Sequence, residues 1–138
     1  MNKPEKIILH HALTKDSVKS LFSVNKIDAW HKARGFDRIG YHWYIDRDGI
    51  AHRGREDHET GAHTIGQNKR SIGICLEGMN FPTVAQIHKL CYLYLECLEK
   101  HGINSELWYP HSSFSDKECP GFDIEYLKGI FRMLEVRA

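Results

Sequence analysis

No apolar stretch in the sequence approaches the roughly 20 residues that a helix needs to cross a bilayer. The opening MNKPEKIILHH also lacks the apolar core of an export signal. Membrane insertion is therefore not expected. The chain is expected to be cytoplasmic as synthesised, reaching the outside only through a pore or lysis. An excess of charge is missing too, since 19 Lys and Arg stand against 18 Asp and Glu. Tight phosphate binding draws on a basic stripe, so no nucleic-acid partner is expected. Repeats, low-complexity tracts and linkers are absent. Residues 1–138 read as a single domain and as a monomer.

Four cysteines would suit two disulfides in a secreted domain, but the missing export signal argues for a reducing compartment. Cys91 and Cys97 fall on one predicted helix, separated by about 9 Å of rise, too far to bridge. Together with Cys75, in an apolar strand pattern, they read as small buried hydrophobes. Histidine, in contrast, is abundant, with ten residues. Nothing beside His52, His58, His88 or His101 suggests a site.

Residues 7–9 form an apolar run that ends at His10-His11, as in a buried strand. Ser23 is placed to cap a helix carrying Ile27, Trp30 and Arg34 and stopped at Gly35. Residues 41–46 alternate, with Tyr41, Trp43 and Ile45 on one side and His42 on the other. Asp48-Gly49 turns them into a second strand over 50–53. Residues 71–76 put Ile72, Ile74 and Leu76 on one face and the small Ser71, Gly73 and Cys75 on the other. Thr83 and Gln86 make a capping box for a long helix with Val84, Ile87, Cys91, Tyr94 and Leu98 in one stripe, ended by Gly102. A loop through Trp108, Pro110, Pro120 and Gly121 leads to a last helix, capped by Asp123 and bearing Ile124, Leu127, Ile130, Phe131 and Leu134. The pattern predicts an α/β domain with a central mixed β-sheet flanked by helices.

His111 and Cys119 lie seven intervening residues apart in that loop. Imidazole and thiolate are good zinc ligands, and a nearby helix start favours thiolate. Alone, such a pair is a weak signal. His10 adds a third donor at the end of a strand, a rigid platform, and neighbours on a strand face opposite ways, so His11 is not expected to share the ion. Tyr41 by itself reads as core, Lys117 as a solvated loop lysine and His63 as a surface histidine. No Gly-x-Ser-x-Gly elbow surrounds Ser112, Ser113 or Ser115.

Four motifs occur in order: Ile8-Leu9-His10, Gly40-Tyr41-His42-Trp43-Tyr44-Ile45-Asp46-Arg47-Asp48-Gly49, Ser71-Ile72-Gly73-Ile74-Cys75-Leu76, and His111 followed by Lys117-Glu118-Cys119-Pro120. Together, from Ile7 to Phe131, they resemble the N-acetylmuramoyl-L-alanine amidase type 2 family, which includes phage endolysins and animal peptidoglycan recognition proteins. The resemblance implies one zinc ion on His10, His111 and Cys119, with Tyr41 and Lys117 catalytic. It also implies that His63 contacts the substrate, which would be bacterial peptidoglycan or its muropeptide fragments. Tyr41 would hold the attacking water or relay a proton, and Lys117 would face the oxyanion. Three functions share this fold: the amidase, a silent peptidoglycan-binding module and a protein-binding regulator. A complete ligand trio favours the amidase. Both an endolysin and a wall-recycling enzyme fit the missing export signal, and a Cys third ligand tilts the choice to the endolysin.

Overall fold

The computed structural model describes residues 3–12, 39–78 and 81–137. The helix expected between Ser23 and Gly35 lies outside the described residues. Five strands form one sheet: β1 (Lys6–Ala12), β2 (Trp43–Ile45), β3 (Ala51–Arg53), β4 (Ser71–Glu77) and β5 (Trp108–Pro110), in the order β3-β2-β4-β1-β5. β4 pairs in parallel with both β1 and β2, β1 pairs in parallel with β5, and β2–β3 is the antiparallel hairpin. The expected mixed sheet is present.

The hairpin turns where Asp48-Gly49 predicts. Gly49 adopts a left-handed φ of 83°, and Asp46 Oδ1 accepts from the backbone N–H of Asp48 and of Ile50. β4 is buried along its whole length, as a central strand should be. Ile72, Ile74 and Leu76 join Ile7, Leu9, Ile45 and Trp108 in the main core. α1 (Val84–His101) and α2 (Glu125–Arg137) pack there through Leu90, Leu93, Tyr94, Leu127 and Phe131. The opposite face of the sheet carries a smaller cluster of Ala12, Ile39, Tyr44 and Cys75.

Three expectations change. Tyr41 packs in the smaller cluster, whereas Trp43 and Ile45 belong to the main core. Regular pairing begins only at Trp43, and bends at Gly40 and His42 break the alternation before it. Val84 is 84% exposed; the buried stripe of α1 is Gln86, Leu90, Leu93, Tyr94 and Cys97, with Ile87, Cys91 and Leu98 at its margin. A polar residue takes the first core position because of its bonds. Gln86 Nε2 donates to the carbonyls of Ile45 and Glu77, while its Oε1 accepts from the Thr83 N–H. Finally, the predicted loop through Trp108 and Pro110 contains the three-residue strand β5. Proline is tolerated there because β5 is an edge strand.

Helix α1 closes as predicted, with Gly102 left-handed at φ 68° and its N–H bonded to the last carbonyls. Asp123 Oδ1 caps the start of α2 through Glu125 N–H. Gln86→Leu, which strips two buried carbonyls of a partner, should cost about 2–4 kcal/mol in urea denaturation. Val84→Ala should stay within about 0.5 kcal/mol; equal losses for the two would refute the assignment of the buried face.

Candidate active site and metal centre

Strand register brings the first two candidate ligands together. Leu9 of β1 stands opposite Pro110 of β5, so His10 and His111, the next residues on each chain, meet with ring centroids 4.3 Å apart. His10 projects to the face opposite Leu9 and is only 2% exposed. A single 3-10 turn, His111–Ser113, then starts the loop.

β1 also holds the third candidate ligand. The backbone N–H of His11 donates to Cys119 Sγ (3.3 Å), and the His11 ring, on the other side of the strand, accepts from Gly121 N–H through Nδ1 (2.6 Å). Ser112 N–H closes the loop onto the Cys119 carbonyl at 2.9 Å. His10, His111 and Cys119 each offer a ligand atom, all within 4.8 Å of one another. Among the described residues no other group of three or more His, Cys, Asp or Glu side chains is so disposed. His11 stays out of the trio, as alternation requires.

The electrostatics suit a soft divalent cation. Burial pushes His10 well below the ordinary imidazole range, and neighbouring His63 and His111 push it further. Burial lowers His111, helped by the charge of Lys117. Both rings thus keep a lone pair at neutral pH. Burial raises the Cys119 thiol, partly opposed by the His11 N–H and the Lys117 charge. The nearest helix start is not what tunes it, because α2 begins only at Glu125. A metal must therefore displace the thiol proton.

Tyr41 flanks His10, with rings 5.1 Å apart. Burial raises its phenol well above the usual range, and it hydrogen-bonds Cys75, so it stays protonated. Lys117 is exposed on the loop, its charge felt by both His111 and Cys119. His63 lies edge-on against His10, with centroids 5.0 Å apart and Nδ1 3.0 Å from His10 Nε2. Its ring fits because residues 61 and 73 are glycines: a Cβ at Gly73 would sit 2.6 Å from the imidazole, and one at Gly61 2.5 Å. Three residues not singled out as site residues in the sequence complete this wall. Thr64 Oγ1 lies 2.9 Å from His63 Nδ1, Ser71 Oγ lies 3.2 Å from His63 Nε2, and Asn68 Oδ1 accepts from the N–H groups of His63 and Thr64. The signal for Ser71 was the run of small residues on the site face of β4; Thr64 and Asn68, in the preceding loop, had none. His42 is structural: Nδ1 accepts from Gly73 N–H and Nε2 donates to the Glu59 carbonyl.

Burial keeps His10 and His63 neutral in the fold, His63 down to about 3, whereas both titrate near 6.5 once unfolded. Stability is then complete above about pH 6.5. It falls as pH drops from there, by about 1.4 kcal/mol per unit for each histidine held neutral. Urea midpoints of the metal-free protein should decline between pH 6.5 and 5, less steeply in His63→Asn; a flat profile would refute the buried neutral pair.

The sequence and the fold have counterparts. The N-acetylmuramoyl-L-alanine amidase family model matches residues 1–122. The endolysin of Enterobacteria phage T3 is 35% identical over 130 residues, 88% of this chain and 83% of that one. That of Escherichia phage T7 is 35% identical over 128 residues, 86% and 82% of the two chains. The N-acetylmuramoyl-L-alanine amidase LysC from Clostridium intestinale superposes with a TM-score of 0.85 at 34% identity, covering 95% of this chain and 87% of its own. Drosophila PGRP-LB follows at 0.78 and 25% identity, covering 98% and 81%. By the length of the family match and the likeness to endolysins and to LysC, the chain belongs to the N-acetylmuramoyl-L-alanine amidase family and is an amidase of that class.

Proposed function

We propose that the chain is a zinc-dependent endolysin that cuts the amide between N-acetylmuramic acid and L-alanine in bacterial peptidoglycan. The observation that carries this reading is the convergence of His10, His111 and Cys119 within 4.8 Å at a sheet end, beside Tyr41. Two neutral imidazoles and one thiolate match the donor set of catalytic zinc, which takes three protein ligands and keeps one position open. Zinc held there supplies Lewis acidity towards the amide and acidifies water.

The remaining work falls to the chain. Tyr41 keeps its phenolic proton and offers its hydroxyl, beside His10, to the reacting water or the departing amine. Lys117 brings a positive charge to where the amide oxygen turns negative. His63 forms the wall behind His10. Hydrolysis releases the lactyl carboxylate of the sugar and the amino group of L-alanine. A Drosophila PGRP-LB mutant in complex with tracheal cytotoxin supports peptidoglycan or its fragments as the partner here. The endolysin relatives support action on the wall at lysis.

Digestion of purified sacculi should expose new L-alanine amino termini without new reducing sugar ends, and a chelator should stop it. Reducing ends would mean a glycosidase, and full activity in metal-free protein would exclude the zinc reading. Cys119→Ser should lower bound zinc and turnover together. Lys117→Ala should keep its zinc yet lose about 10²–10³ in kcat, the usual cost of removing one oxyanion-stabilising group; unchanged turnover would remove Lys117 from the mechanism.

A further inference from the structure

A chain of polar contacts runs from Ser71, the first residue of β4, to His10, the first candidate metal ligand. Ser71 Oγ donates to the Gln67 carbonyl at 2.8 Å, which commits its one proton because a carbonyl only accepts. Ser71 Oγ therefore offers a lone pair to His63 Nε2, 3.2 Å away, and His63 carries its proton on Nε2. His63 Nδ1 is left as an acceptor. It faces His10 Nε2 at 3.0 Å and Thr64 Oγ1 at 2.9 Å, and Thr64 Oγ1 is 3.3 Å from His10 Nε2.

Only one protonation pattern satisfies this arrangement. With a proton on His10 Nε2, that N–H points at His63 Nδ1 and the Thr64 hydroxyl. With none, two ring lone pairs oppose each other at 3.0 Å, and one threonine proton cannot serve both. Reversing His63 instead would leave its Nε2 lone pair against the Ser71 lone pair. The ring cannot swing aside, because Gly61 and Gly73 hold it closely and Asn68 fixes the backbone on which it sits.

We propose that Ser71, acting through His63, fixes the tautomer of His10, keeping the proton on Nε2 and the lone pair on Nδ1 for the metal. The proposal rests on the zinc reading above, and it makes His63 a positioning residue rather than a substrate contact. Metal ligands are commonly oriented by such partners, whose loss typically costs 10–100-fold in metal affinity.

The first test needs no metal. Long-range proton–nitrogen NMR of ¹⁵N-histidine-labelled, zinc-free protein at pH 7.5 should show His10 protonated on Nε2. His63→Leu should lose that preference and His63→Asn, which keeps an acceptor, should retain it. Ser71→Ala, a small change at the far end of the chain, should mix the His10 tautomers while leaving the sheet resonances in place. A proton on Nδ1 in the wild type, or an unaltered tautomer in both His63→Leu and Ser71→Ala, would overturn the proposal. In chelator competition, His63→Leu should bind zinc 10–100-fold more weakly and His63→Asn within a few-fold of wild type; equal affinities for Leu and wild type would also overturn it. A wild type that takes up no zinc would refute the metal centre instead, with the tautomer measurement still deciding the Ser71–His63 chain.

Discussion

Parallel pairing of β1 with a three-residue edge strand determines where the chemistry can occur. Opposing Leu9 with Pro110 puts two imidazoles shoulder to shoulder, His111 just past the end of β5 and His10 inside β1, which runs on to Ala12 rather than ending at His10 as expected. A slip of one residue would turn His111 to the other side of the sheet. The same β1 backbone reaches the thiol of Cys119 through His11 N–H. One strand thus contributes one candidate ligand, aligns the second and tethers the third. The main core, formed by Ile7, Leu9 and Trp108 against α1 and α2, sits directly behind and keeps that strand rigid.

Burial sets the protonation states. Taking His10 and His63 out of water costs the fold stability in acid, yet it holds both rings neutral at the pH where a metal would need the lone pair of His10 and His10 an acceptor on His63. For Cys119 the same burial acts against metal binding, since it favours the thiol. The backbone N–H of His11 and the charge of Lys117 work in the other direction. Lys117 thereby bears on two of the three candidate ligands, His111 and Cys119.

Much of this was legible in the sequence. Strong local signals, the capping box at Thr83–Gln86, the Asp48-Gly49 turn and the alternation along β4, identified elements that the structure contains. The resemblance brought out His10, His111 and Cys119, which do converge. What sequence periodicity hid has physical causes. β5 is too short and too proline-marked to read as a strand, yet it aligns His111. The bends at Gly40 and His42 moved Tyr41 to the face where the site lies. Gln86 won a core position through hydrogen bonds that no hydrophobic pattern registers. Ser71 looked merely small, because its partner His63 is eight residues away and is recognised only in three dimensions.

Gly73 links the centre of the sheet to the wall behind His10. A glycine inside a buried strand forgoes side-chain packing and loses more chain entropy than alanine, by roughly 0.5–1 kcal/mol. The vacant volume is occupied by an imidazole from a separate loop. Stabilising the strand with a larger side chain would therefore evict that ring, so selection for robustness and selection for chemistry pull on this one position in opposite directions.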